Sequence, residues 1–101
     1  MNFTPIKYDY IVNQYQGSTN IEILDGCNSI TFTNLGSQTV YVDGMPLYPG
    51  TAGSVLGDSR TIGGNNYEIL GRKRVTISFS TDTPTIPSPT YLIEVIQKIY
   101  L

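Results

Sequence analysis

The side chains with chemistry to offer in this sequence are one thiol, eight carboxylates and a single run of cations. Cys27 is the only cysteine, and there is no histidine. A nucleophilic thiol needs a neighbouring base, most often histidine, to become thiolate. Without one, Cys27 reads as a small residue near a turn. The same absence removes Ser-His catalysis and the standard zinc ligand sets. The carboxylates are Asp9, Glu22, Asp25, Asp43, Asp58, Glu68, Asp82 and Glu94. Two of them at a suitable separation could act as general acid and base. Most, however, fall in turns or on the polar side of alternating segments, where solvation or turn formation accounts for them. Calcium wants several oxygen ligands at close spacing, and no Asp-x-Asp-x-Asp run is present. The expectation is a protein that is not an enzyme, with no catalytic, cofactor-binding or metal-ligating residues.

The remaining motifs lead to the same place. Gly53-Ser54-Val55-Leu56-Gly57 and Gly63-Gly64-Asn65-Asn66 are glycine-rich but lack the Lys-Ser/Thr and the helix that a phosphate cradle requires, so they read as flexible loop. Arg72-Lys73-Arg74 is the one basic cluster. A nucleic-acid binder usually carries a net basic face, whereas this chain has a formal charge of −2; a solvated turn, or a match to an acidic patch on a partner subunit, fits better. The eight tyrosines (Tyr8, Tyr10, Tyr15, Tyr41, Tyr48, Tyr67, Tyr91 and Tyr100) could stack on sugar rings. Alternation puts several of them on presumed inner faces, and tyrosine is also favoured at protein interfaces, where the ring is buried and the hydroxyl stays bonded.

The elements that would position these groups are strands. At 101 residues the chain suffices for one domain. Only 14% of residues are charged, against about 25% in typical soluble domains. Low charge weakens repulsion between copies, which suits a protein packed in an assembly. The N-terminus lacks both a basic region and a continuous apolar run, so no signal peptide is expected. No apolar run approaches the ~18 residues of a membrane span.

Hydrophobic residues alternate with period two almost throughout. Residues 6–15 place Ile6, Tyr8, Tyr10 and Val12 on one face and Lys7, Asp9, Ile11 and Asn13 on the other, the pattern of a strand, for which a sheet edge is one placement. Residues 17–20 read as a turn, 21–24 as a short strand and 29–33 as a strand with Ile30 and Phe32 inward. Asp43-Gly44, between residues 39–42 and 45–48, predicts a type I′ hairpin, because both turn residues tolerate positive φ. Pro46 removes a ladder donor, so the second arm is expected to lie at a sheet edge or to pair only partly. Residues 51–66 read as the longest loop, tacked to the core by Val55, Leu56 and Ile62. Residues 67–70 read as a strand, 71–73 as a turn and 74–80 as a strand with Val75, Ile77 and Phe79 inward. Three prolines make 81–90 a stiff extended connection.

The tail, residues 91–101, fits a strand or a short buried helix by position; its β-branched and aromatic content favours a strand. With apolar residues on both faces, such a strand is either central or covered by a neighbouring subunit. Seven to eight short antiparallel strands make an all-β domain, a β-sandwich, jelly roll or small barrel spanning 1–101.

Residues 29–50 also carry a resemblance. Here a strand ends in Asn34-Leu35-Gly36, a Val-rich strand follows (Val40, Val42), then a turn Gly44, a short arm Met45-Pro46-Leu47 and Pro49-Gly50. This order is similar to that in small β-sandwich structural proteins of tailed bacteriophage virions, and Tyr67-Glu68-Ile69 and residues 75–79 look like their closing strands. The likeness covers about the middle half of the chain. It implies a virion component (capsid decoration, head fibre, connector or tail part) made in the host cytoplasm. The partners implied are other virion proteins and further copies of this chain, with no nucleic acid and no membrane. The alternative is a carbohydrate-binding or adhesin module. Contacts are expected from the terminal arms, residues 1–15 and 91–101, and from the loop 51–66.

Overall fold

The computed structural model describes residues 7–50, 56–65, 68–80 and 90–101. Its strands are β1 (Tyr8–Tyr15), β2 (Thr19–Glu22), β3 (Cys27–Asn34), β4 (Val40–Val42), β5 (Met45–Leu47), β6 (Ser59–Gly63), β7 (Arg74–Phe79) and β8 (Ile93–Tyr100). They form two four-stranded antiparallel sheets, in the orders β1-β8-β3-β6 and β2-β7-β4-β5. No helix occurs among the described residues. The chain is an all-β sandwich.

Alternation decides which side of each strand is dry. In β7, Val75 and Ile77 are buried while Arg74, Thr76 and Ser78 face out. In β3, Ile30 and Phe32 are buried, and their neighbours Thr31 and Thr33 lie on the other face. Ile21, Val40, Val42 and Leu47 close the core from the second sheet, and Ile93 and Val95 close it from the first. Each such side chain is worth roughly 1.5–3 kcal/mol of burial.

The chain changes sheet at every step except β4 to β5. That exception is the expected hairpin: Asp43 has φ of 50° and Gly44 of 82°, both left-handed, as a type I′ turn requires. The arm holding Pro46 is an edge strand, β5, where a missing N–H costs nothing to the sheet. The tail is a strand, and β8 is central in its sheet, between β1 and β3; Ile93 and Val95 bury its inner face, while Glu94, Ile96, Lys98 and Tyr100 stay half-buried on the outer one.

Among the described residues three polar side chains are buried, and each ties a chain end or turn into the sandwich. Asn34 Nδ2 donates to the carbonyls of Gln38 (2.8 Å) and Leu47 (2.9 Å), and its Oδ1 accepts the Gly36 N–H at 2.9 Å. Gln97 donates through Nε2 to Glu22 O and accepts the Leu24 N–H, both at 2.9 Å. Asn28 donates to the carbonyls of Asn65 and Glu68. Asn34 and Gln97 use both the oxygen and the nitrogen of the amide, whereas Asn28 Oδ1 is buried with no partner among the described residues.

The structure departs from the periodicity in several places. The stretch 51–66 is not all loop: Ser59–Gly63 is β6, paired along β3. Its polar look has a physical cause, since an edge strand shows Ser59 and Thr61 to solvent, hydrogen-bonded to Thr33 and Thr31 at 3.1 and 2.9 Å, and Ile62 alone packs on the core. Leu56, expected to tack the stretch down, is 62% exposed. Gly63 ends β6 with φ of 82° and is therefore part of a strand end, not free loop. Glu68–Leu70 is not a strand; Leu70 reaches the core from a coil held by its N–H to Cys27 O at 2.8 Å. β2 starts at Thr19, inside the expected turn. The expected positions of residues 1–6, Val55, Tyr67 and the proline-rich stretch 81–89 lie outside the described residues.

Candidate functional site

β1 is paired along its whole length with β8 yet is the strand least buried by the fold. Seven of its eight residues are exposed, and only Tyr15 packs against the core. Its side chains divide as the alternation predicts. The register pairs Tyr8, Tyr10, Val12 and Gln14 with Tyr100, Lys98, Ile96 and Glu94 of β8, on the outer face. Asp9, Ile11, Asn13 and Tyr15 lie opposite Ile99, Gln97, Val95 and Ile93, on the inner face. Exposures of 46% for Tyr8, 53% for Tyr10 and 54% for Val12 make this face an apolar, aromatic strip beside Ile96.

The main chain of β1 has a definite phase. The Leu101 N–H donates to Lys7 O at 2.9 Å. In an antiparallel ladder, hydrogen-bonded residues alternate, so Lys7, Asp9, Ile11, Asn13 and Tyr15 direct their N–H and C=O to β8. Those of Tyr8, Tyr10, Val12 and Gln14 therefore point to the open side of the sheet, where no strand follows among the described residues. One of these donors has a local acceptor: Asp9 Oδ1 takes the Tyr10 N–H at 2.9 Å.

On the outer face, the rings of Tyr8 and Tyr10 meet edge-on, with centroids 5.5 Å apart at 84°. The Lys98 Nζ sits 4.1 Å from the centroid of Tyr8, a cation–π contact. The other half of the same face is a field of hydroxyls from β3 and β6. Aromatic and hydroxyl surface thus lie side by side, separated by β8.

The tyrosines are less internal than alternation suggested. Tyr15 packs on the core and Tyr91 meets Phe79 edge-on at 5.6 Å, while Tyr8, Tyr10 and Tyr48 are exposed. Tyr8 and Tyr10 are exposed because they lie on the outer face of β1, and Tyr48 follows the edge strand β5.

The basic cluster lines a cleft of about 310 Å³ between residues 22–26 and 69–74. It does not present three free cations. Arg72 makes a salt bridge to Asp43, and Arg74 stands opposite Glu22 in the β2–β7 register. Burial acts to raise the Asp43 carboxyl, but the Thr76 N–H at 3.0 Å and the Arg72 guanidinium outweigh it and hold the group below its ordinary range. Cys27 is fully buried, and desolvation pushes its thiol up against the smaller pull of backbone hydrogen bonds at Ser29 and Lys98. Of the other carboxylates, Asp58 accepts the Tyr48 N–H and Glu68 the Asn65 N–H. Among the described residues no group of three His, Cys, Asp or Glu is placed to hold a metal, and Asp82 lies outside them. Among the described residues no helix is long and apolar enough to cross a membrane.

No protein-family model, curated protein or solved structure matches the chain.

Proposed function

We propose that this domain is a structural protein of a tailed-phage virion, a capsid decoration, head fibre, connector or tail component. It works through protein–protein contacts as a homo-oligomer, without catalysis. The observation that carries the reading is β1: a long edge strand with exposed Tyr8, Tyr10 and Val12 and a row of main-chain groups turned outward. Such an edge is a template for another chain. The virion setting is supported by the resemblance over residues 29–50, a run that folds as β3, β4 and β5.

The electrostatics fit protein partners better than nucleic acid, because Arg72 already has a carboxylate and Arg74 faces Glu22. The glycan-binding alternative draws on the exposed tyrosines. Yet Tyr8 and Tyr10 are nearly perpendicular, and Lys98 covers one ring, so the pair offers no flat platform for a sugar.

Mass spectrometry of purified phage particles tests the proposal, with the chain expected at stoichiometric, multi-copy abundance. Its absence from particles, together with selective glycan-array binding lost on Tyr10→Ala, would replace this reading with the adhesin one.

A further inference from the structure

The two sheets have four edges, and three are blunted. β2 has four residues; β5 has three, one of them Pro46. β6 has five and runs into Gly63 and Gly64, both at positive φ, which turn the chain out of the sheet. Short strands, proline and local twists are the usual devices against edge pairing. β1 carries none of them: it has eight residues, with neither glycine nor proline.

We propose that β1 pairs antiparallel with β1 of a second copy about a twofold axis centred on Ile11, joining two four-stranded sheets into one of eight. This deepens the assembly reading above and rests on it for the choice of a like partner. The phase of the strand selects the register. Only residues with outward main-chain groups can exchange hydrogen bonds across the seam, and these are Tyr8, Tyr10, Val12 and Gln14. Centring on Ile11 sets Tyr8 against Gln14 and Tyr10 against Val12, twice over by symmetry. All four are then used, giving about eight main-chain hydrogen bonds. Centring on Val12 leaves Tyr8 without a partner in the strand.

Charge makes the same choice. A seam centred on Tyr10 leaves Gln14 without a partner in the strand and sets the two Lys98 side chains in one cross-strand row, roughly 14 Å apart, with no acidic group between them. The Ile11 register separates them and brings each Lys98, leaning over Tyr8, to the side of the second copy's Glu94, because Tyr8 then stands next to Gln14, the neighbour of Glu94. Asp9 falls opposite Asn13 and Lys7 opposite Tyr15, so no like charges meet. Eight residues at ~3.4 Å per residue give a seam of roughly 27 Å. This buries on the order of 800 Å² in all, less than the ~1,200–2,000 Å² of a stable standard complex. The isolated pair is therefore a weak, concentration-dependent dimer, and Asp9 moderates it by holding the Tyr10 N–H.

Cross-linking of the full chain tests this directly. Ile11 meets its own copy at a non-hydrogen-bonded position, with Cα atoms ~4.5 Å apart, inside disulfide reach. Ile11→Cys should oxidise to a covalent dimer at least tenfold faster than Asn13→Cys, whose twofold mate lies four residues away along the seam. The native Cys27 is buried and should not contribute. Val12→Pro removes an outward N–H without touching the β1–β8 ladder; it should raise the dimer dissociation constant at least tenfold in sedimentation, with the circular dichroism unchanged. Asp9→Ala should lower it. Equal cross-linking of Ile11→Cys and Asn13→Cys, or a dimer indifferent to Val12→Pro, overturns the proposal. A chain recovered from virions whose Ile11→Cys form does not cross-link defeats this interface and leaves the virion reading standing. Ready cross-linking of a chain absent from virions does the reverse.

Discussion

The side-chain amide of Asn34 donates to the carbonyl oxygen of Leu47 at 2.9 Å, joining β3 in one sheet to β5 in the other. With its bonds to Gln38 O and from the Gly36 N–H, this one buried side chain stitches a strand end, a turn and the opposing sheet. Removing it leaves buried carbonyls without donors. Asn34→Ala is expected to cost about 2–4 kcal/mol, given ~1–3 kcal/mol for each polar group stranded. Urea unfolding followed by circular dichroism reads this directly, and a loss below about 0.5 kcal/mol would contradict the stitching role.

Asn34 sits beside a second constraint. A Cβ on Gly36 would lie 2.6 Å from Thr90 O and 2.8 Å from Leu92 N, both main-chain atoms that cannot swing aside. Ser37 is bonded to Thr90 here, its N–H donating to the carbonyl at 2.9 Å. Gly36→Ala should therefore part the 35–37 turn from the approach to β8. It should raise amide exchange at Leu35 and Ser37, which donate to Leu92 O and Thr90 O, ahead of exchange in the core strands.

The hairpin carboxylate links stability to pH. Asp43 in the folded protein has its pKa lowered, so folding favours the ionised form. That contribution is complete above the unfolded value, near 3.9, and is lost as pH falls through the folded value. Arg72→Ala should lower stability near pH 7 by about 0–1 kcal/mol, the worth of an exposed ion pair, and the difference from the native chain should vanish as pH falls below about 4, which flattens the acid limb. High salt should reproduce part of the effect in the native chain. A steeper acid limb in Arg72→Ala would reverse the assignment.

Cys27 is shielded by the core, with its thiol held above its usual pKa by burial and its Sγ 3.1 Å from Ser29 O. Labelling by a thiol reagent at pH 8 should be limited by opening of the fold and should accelerate through the denaturation midpoint. Immediate labelling of the native chain would mean that β3 is open at Cys27.

Much of this architecture can be read from residue order, and the failures have physical causes. The Asp43-Gly44 hairpin, the inward Val75 and Ile77 of β7 and the edge position of Pro46 follow from local rules, because turn chemistry and pleat are local. β8 is legible as a strand from its β-branched and aromatic content, but its central place is not, because apolar residues on both sides fit a central strand and a subunit-covered one equally. β6 is not, because Ser59 and Thr61 are polar for a tertiary reason: they meet Thr33 and Thr31 on the outer face of β3. Tyr67 to Leu70 looked like a strand, but Leu70 is held in coil by a bond to Cys27 O that no local pattern announces. At the candidate site, the two-faced pattern of β1 was visible in its alternation. Its main-chain phase was not, for that depends on which residue of β8 it meets.

The most direct test of assembly through β1 is amide hydrogen exchange at residue resolution across protein concentration. The outward amides of Tyr8, Val12 and Gln14 should gain protection as concentration rises, while Ile11 and Asn13, bonded to β8, stay constant. Protection at Tyr8, Val12 and Gln14 that is low and independent of concentration, in a chain that still self-associates, would contradict the account.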